Sequence, residues 1–251
     1  MGPFIQYSSM ASSQAANALD GVEGWLTDDQ ARRLADAAAA LEPPARIVEI
    51  GSFRGRSTIV LANAAPDGVE LVAIDPHAGT DRGPRELETN AATGESDHER
   101  FLANLERAGV RGRVRHVREL SQDALGEVDG EIDLLYVDGA HRYRPARDDI
   151  VAWGARVRPG GRMLIHDSFS SVGVTLAFLT HVVGGRQLRY LTRAQSMAVF
   201  RLERPRVADR VAMLAQLPWF VRNVLIKVAM VSRRHGVARR LGHHQGADFP
   251  Y

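Results

Sequence analysis

Val48-Glu49-Ile50-Gly51-Ser52-Phe53-Arg54-Gly55-Arg56-Ser57-Thr58 contains the change of period that decides the fold. Arg46 to Ile50 is largely apolar and branched, as in a strand buried on both faces. Ser57 to Ala65 has the residue spacing of a helix. Gly51 to Gly55 is the turn between them. Gly51 can take backbone angles closed to residues with a Cβ, and Gly55 permits close approach of backbone to a ligand. The spacing is G-x-x-x-G, without the G-x-G-x-x-G of a dinucleotide turn, which argues against a NAD-dependent oxidoreductase.

Outward from this turn the alternation repeats. Glu70 to Ile74 reads as a strand ending at Asp75, an acid placed to accept hydrogen bonds from ribose hydroxyls. Asp97 to Ala108 suits a helix, Arg113 to Val117 a strand and Ser121 to Leu125 a short helix. Ile132 to Val137 and Arg162 to Ile165 read as further strands, flanking a helix from Pro145 to Val157, with a turn at Pro159-Gly160-Gly161. A helix over Val172 to Val183 leads to a hairpin, Gln187 to Thr192 with Met197 to Leu202. Strands alternating with helices and closed by an antiparallel pair predict an α/β, doubly wound, mostly parallel sheet. Ligands in such sheets bind outside the carboxyl ends of the strands.

Around that sheet, residues 1–26 are expected to form an irregular N-terminal arm. Residues 27–203 are expected to form the main domain, opening with the capping box Thr27 to Gln30. The segment 76–96, rich in Gly, Pro, Thr and charge, is a lid candidate because it is too long for an ordinary connection. Residues 204–251 form a basic helical tail. In it Leu217, Val221, Val224, Val228 and Val231 follow a 4-3-4-3 spacing with most basic residues off the stripe. That pattern fits packing on the sheet or on a twin subunit, or a membrane-surface helix.

The chain has 251 residues, no cysteine and a formal charge of +2. Disulfides and thiolate metal sites are excluded, and a nucleic-acid partner is not expected at so balanced a charge. Only Lys227 among the 32 basic residues is a lysine. The amino terminus shows no leader pattern, and the apolar window Val211 to Val231 is broken by Gln216, Pro218, Arg222, Asn223 and Lys227. A cytoplasmic location is expected.

Chemistry is concentrated at two strand ends. Asp138-Gly139-Ala140-His141 follows one apolar run, and His166-Asp167 ends another. Two carboxylates beside an imidazole suit a hard divalent cation next to a general base, an arrangement for activating a hydroxyl.

Val48 to Thr58 resembles motif I of class I S-adenosylmethionine (SAM) methyltransferases, and Asp75 resembles their ribose-binding acid. Ser121-Gln122-Asp123 is similar to the adenine-side segment of catechol O-methyltransferases. Asp138-Gly139-Ala140-His141 with Tyr143, Pro159-Gly160-Gly161 and Asp167 resembles the metal-dependent branch, including the macrolide-sugar enzymes. The resemblance covers roughly Ala45 to Leu202. It implies a Rossmann-like methyltransferase fold and an O-methyltransferase activity. Glu49, Gly51, Ser52 and Ser57 would surround the methionine part of SAM, Asp75 the ribose, and Ser121 with Gln122 the adenine.

The same resemblance implies Mg²⁺, or another divalent cation, held by Asp138 and Asp167. The third ligand differs within the branch: His166 falls at one family position, Ser168 at another, and water can complete the sphere. His141 would be the general base. With aromatics only 6% of the chain and a polar lid candidate, a carbohydrate acceptor is expected. The branch's sugar O-methyltransferases of mycobacterial methylmannose polysaccharide synthesis are the nearest in kind. A catechol or other small natural product is the alternative acceptor, and a homodimer is the expected assembly.

Overall fold

The computed structural model describes residues 18–80, 90–183 and 187–243. Its strands form one seven-stranded sheet in the order β3-β2-β1-β4-β5-β7-β6. The strands are β1 (Ala45–Ile50), β2 (Val69–Ile74), β3 (Val114–Val117), β4 (Ile132–Val137), β5 (Val157–Ile165), β6 (Leu188–Ala194) and β7 (Met197–Leu202). β1, β2 and β3 are parallel neighbours, whereas β7 runs antiparallel to both β5 and β6. This is the expected doubly wound sheet with its terminal hairpin. The chain divides into two units, Met1–Leu134 and Leu135–Tyr251.

In the first unit, the helices are α1 (Asp28–Ala39), α2 (Arg56–Ala64) and α3 (Ala91–Arg107). Thr27 and Gln30 form the predicted capping box, with Thr27 N donating to Gln30 Oε1 at 2.9 Å and Gln30 N to Thr27 Oγ1 at 3.4 Å. Such a cap stabilises a helix by about 1 kcal/mol. The last four residues of β1 and of β2 are buried, as a central parallel strand requires. Residues 19–26, assigned to the arm, follow an irregular course in which Val22 and Leu26 are buried, and Arg56 Nη1 donates to the Val22 carbonyl at 2.8 Å.

Helix α3 begins six residues before the sequence suggested, because Asn90 caps it by accepting from Thr93 N at 3.0 Å. The lid candidate is therefore shorter: 91–96 is helix, and Asp81, Arg82, Arg85, Glu86, Glu88 and Thr89 lie outside the described residues. Only a 3₁₀ turn, Asp123–Glu127, stands where a short helix was expected.

The first unit also contains a ring cluster that no motif announced. His77, His98 and His116 have centroids 5.1–5.2 Å apart, and Phe101 lies 4.6 Å from His116. Nε2 of His116 is buried with no hydrogen-bond partner among the described residues. Burial, with the neighbouring His77, His98, Arg111 and Arg118, pushes the His116 imidazole down to about 4. A base whose folded pKa lies below its unfolded value of about 6.5 takes its proton first in the unfolded chain. Stability should therefore fall as pH drops from about 6.5 to about 4 and level off below. The ring is partly exposed, so the loss is discounted to about 1–2 kcal/mol. His116→Phe should keep the ring packing and abolish this component. Melting curves of both proteins at pH 7.5 and 4.5 measure it, and parallel losses would rule it out.

In the second unit, α4 (Tyr143–Gly154) and α5 (Val172–Phe178) lie in sequence on either side of β5, and α6 (Val207–Leu214), α7 (Leu217–Val231) and α8 (His235–Arg240) form the tail. β5 is longer than the apolar run suggested. It continues through Pro159-Gly160-Gly161, where a turn was expected, with Gly160 at φ 81° and its carbonyl accepting from Arg201 Nε at 3.1 Å. The ladder to β7 covers only Arg162 to Ile165, so proline's missing N–H costs no bond in that pairing. Trp153, Tyr136, Phe169, Phe178 and Phe200 are the large buried side chains here. Phe178 meets Phe169 edge-on at 5.2 Å.

Candidate active site

The turn after β1 is held in a left-handed course by Gly51 at φ 86°, Phe53 at φ 45° and Gly55 at φ 88°. Phe53 lacks glycine's freedom, and its strain is offset by bonds from the next strand end. Phe53 N donates to Asp75 Oδ2 at 2.7 Å, His77 N donates to Asp75 Oδ1 at 2.8 Å, and His77 Nε2 lies 2.8 Å from the Phe53 carbonyl. Asp75 thus braces the turn while each oxygen keeps a lone pair for a further donor. Arg54 fixes the other side, with Nε donating to Asp97 Oδ1 at 2.8 Å in a buried pair and Glu23 joining through Nη1. His77, Arg54 and Asp97 were not legible as contributors, since their partners are distant in sequence.

The predicted cofactor residues fare differently from one another. Glu49 is fully buried and accepts from the hydroxyls of Ser57 and, at 2.5 Å, Thr58. It therefore ties β1 to α2. Gly55 approaches protein rather than ligand, because a Cβ there would stand 3.2 Å from the Phe101 ring. Ser52 is the opposite case: its Oγ is buried and meets no partner among the described residues. An orphaned hydroxyl in a strained glycine turn, next to a strand-end acid, fits a polar ligand such as SAM. Ser121 and Gln122 lie on the turn that follows β3 and precedes the 3₁₀ segment, at the half-buried and exposed levels respectively.

In the second unit, Asp138, His141, His166 and Asp167 come together at the ends of β4 and β5. His141 Nε2 is 2.8 Å from Asp167 Oδ2, and His166 Nδ1 is 3.1 Å from Asp138 Oδ1 and 3.7 Å from Asp167 Oδ1. Asp167 is held at φ 55°, a region Asp tolerates better than most residues. Ser170 Oγ at 2.5 Å and Ser196 Oγ at 3.2 Å donate to its Oδ1. A small cavity of about 10 Å³, room for about one water molecule, is lined by Val137, Asp138, Gly139, Ala140, His141, Ala146, Ile150, Ile165, His166 and Val174.

Electrostatics poise the pair. Partial burial works against a charged His141, but the hydrogen bond and charge of Asp167, with Asp138 adding, outweigh it and raise its pKa above the ordinary 6.5. Burial opposes ionisation of Asp167 too, yet the His166 and His141 imidazoles and the Ser170 hydroxyl hold its carboxyl well below the usual range. Asp167 is the fixed charge, and His141 is the imidazole whose proton affinity that charge raises.

The two aspartates have the donor chemistry of a magnesium site, but they are placed as proton acceptors. Both oxygens of Asp167 are engaged as above. Asp138 Oδ2 accepts from the Tyr136 hydroxyl at 3.0 Å while its Oδ1 faces His166. Ser168 turns inward and donates to the Ile165 carbonyl at 2.8 Å. Among the described residues no group of three or more His, Asp or Glu side chains is placed to hold a metal ion. The residues that the resemblance assigned as ligands are gathered, but in this arrangement they do not fit a resident divalent cation.

The His141 loop is clamped by the start of α5. Ser171 Oγ donates to the His141 carbonyl at 3.1 Å, and Gly173 packs so closely that a Cβ would collide with that carbonyl and lie 2.8 Å from Tyr143 N. Neither position carries a sequence signal. Gly173→Ala should push the loop outward and lower turnover by ~10²-fold, the usual effect of a misplacement near 1 Å. SAM affinity, measured by calorimetry, should be unchanged; wild-type turnover would show that the clamp does not position His141.

Residues 48–168, from within β1 through Ser168, match a family model described as a methyltransferase domain. Three solved structures share the fold. Cofactor-bound Rv0187 from MTB has 21% identity and a TM-score of 0.54, over 80% of this chain and 93% of that one. The O-methyltransferase TomG from Streptomyces achromogenes, involved in tomaymycin synthesis and solved with SAM, has 22% identity and a TM-score of 0.54, over 80% and 92%. The O-methyltransferase from Bacillus cereus in complex with S-adenosylhomocysteine (SAH) has 16% identity and a TM-score of 0.54, over 80% and 93%. Uncharacterized protein y4gI of Sinorhizobium fredii is 29% identical over 129 residues, half of this chain but only 13% of that relative's length. The fold is the Rossmann-like fold of the methyltransferases.

Proposed function

We propose that this chain transfers the methyl group of SAM to an acceptor hydroxyl, with His141 as the general base. The observation that carries this reading is the 2.8 Å pair of His141 Nε2 and Asp167 Oδ2. A carboxylate on one imidazole nitrogen orients the ring and stabilises the imidazolium formed when it takes a proton. In the reaction the acceptor oxygen attacks the methyl carbon, the carbon–sulfur bond breaks, and the hydroxyl proton passes to His141. SAM, which supplies an electrophilic methyl on a sulfonium, leaves as SAH. The methyltransferase-domain match over 48–168, and the neighbours solved with SAM and SAH, support the cofactor assignment.

For SAM, Ser52 offers its orphaned hydroxyl, Gly51 its turn backbone, and Asp75 its remaining lone pairs to the ribose. Ser121 and Gln122 would flank the adenine. Glu49 and Ser57 act through each other, shaping the turn from behind. No step in this reading runs through magnesium: three of the four carboxylate oxygens of Asp138 and Asp167 accept from Tyr136, His141, Ser170 and Ser196.

A carbohydrate hydroxyl is the favoured acceptor. Among the described residues, the wall around Asp138, His141 and His166 is aliphatic, with no phenyl, phenol or indole ring against which a flat catechol would stack. The test is transfer of labelled methyl from SAM to panels of sugars, catechols and small phenols, with Mg²⁺ and with EDTA. Label on a sugar, undiminished by EDTA, is expected. Transfer confined to catechols would overturn the acceptor class, and rescue of EDTA-treated enzyme by Mg²⁺ would return a cation to the two aspartates. No transfer from SAM to any panel would remove the activity itself.

A further inference from the structure

We propose that the tail docks on an anionic phospholipid bilayer, lying along its surface. This rests on the tail alone and does not depend on the acceptor. α7 has two faces of opposite character. Its inner face is fully engaged: Asn223 Nδ2 donates to the Phe169 carbonyl at 3.0 Å and Lys227 Nζ to the Ser170 carbonyl at 2.7 Å. Ile226, Ala229 and Ala238 form a buried cluster beside them. The outer face is apolar and open: Val221, Leu225 and Val228 on α7, with Val207 and Val211 on α6, are between 49% and 80% exposed. At 100° per residue, Val221, Leu225 and Val228 fall within one narrow stripe. Exposed apolar side chains on two successive helices are unusual on a surface that meets only water.

Charge selects the occupant. From Arg204 to Tyr251 the tail has eight arginines and one lysine against two aspartates. Two such tails would repel each other, whereas an anionic headgroup layer attracts them and accepts the apolar stripe beneath. Val207–Val231 is long and apolar enough to cross a membrane by composition, with a mean hydropathy of 1.3. However, the helix is interrupted between Leu214 and Leu217, and Asn223 and Lys227 are bonded to the loop after β5. These ties favour lying on the surface over crossing it. They also place the helix one loop from Asp167, so docking would hold the His141–Asp167 end of the unit near material presented at the surface.

The experiment is sedimentation of the full chain with vesicles of phosphatidylcholine alone or with 30 mol% phosphatidylglycerol. We expect at least ~5-fold more bound protein on the anionic vesicles, falling in high salt. Leu225→Asp/Val228→Asp should lower binding ~10-fold or more by placing charge in the stripe. Arg239→Glu/Arg240→Glu should lower it on anionic vesicles alone. Both variants alter exposed side chains, and unchanged melting temperatures confirm their fold. Equal partitioning of all three proteins, or none of any, overturns the proposal. So does a wild-type dimer in velocity sedimentation that Leu225→Asp/Val228→Asp converts to monomer without any vesicle binding, since the occupant would then be a second copy.

Discussion

His141→Ala is expected to reduce turnover by ~10²–10⁴-fold, the usual contribution of a positioned base and equivalent to roughly 3–5 kcal/mol of barrier. SAM affinity should stay within about twofold, because every residue assigned to the cofactor follows β1, β2 or β3. The side chain is 43% exposed, so its removal opens no core cavity and the fold should survive. Single-turnover kinetics with saturating SAM, together with calorimetric SAM binding, separate the two effects. Near-normal turnover would remove the base assignment, and joint loss of turnover and SAM binding would recast His141 as structural.

Asp167→Asn should be nearly as damaging, up to ~10⁴-fold, because the imidazole loses the carboxylate that orients it and balances its charge. Its second signature is in the pH profile. Asp167 raises the His141 pKa, so in the wild type turnover should climb with pH through an acid limb lying above 6.5. Without that charge the limb should move to lower pH. The stability contribution of the raised histidine runs the other way: it is complete below about 6.5 and lost as pH rises through the folded value. The depressed Asp167 contributes stability above its ordinary 3.8 that is lost on acidification. Asparagine tolerates φ 55°, so the backbone at this position should persist. A limb that stays in place at reduced turnover would mean that Asp167 acts on something other than His141.

Together with the acid sensitivity of His116 and the clamp at Gly173, these results would locate catalysis and folding in different residues. The distinction matters for Glu49. Its position in the motif suggested ligand contact, while its burial and its bonds to Ser57 and Thr58 suggest that Glu49→Gln would act chiefly through the turn.

Much of the fold was legible because it is written in local periods. Apolar runs of four to six residues, glycine turns and helical spacing identify β1 to β7 and most helices, with boundaries shifted where a cap or a strand extension intervened. The start of α3 moved because Asn90 was not recognised as its cap, and β5 absorbed a Pro-Gly-Gly that looks like a turn in isolation. The strand-end positions of Asp75, Asp138, His141 and Asp167 were legible for the same reason, since each follows an apolar run that reads as a strand.

What the sequence by itself determined was the order of strands and helices, the glycine turn and the identity of the acids and imidazoles at the strand ends. Only the tertiary structure decided which partner each group meets. Asp167 turns its oxygens to His141, Ser170 and Ser196, Ser168 faces inward, Gly173 seats the His141 loop, and three histidines from separate elements share a cluster. The reason is physical. Periodicity depends on neighbours along the chain, whereas hydrogen bonds and close packing depend on atoms brought together from 29 and 30 residues away, as with Ser196 and Asp167 or Ser171 and His141.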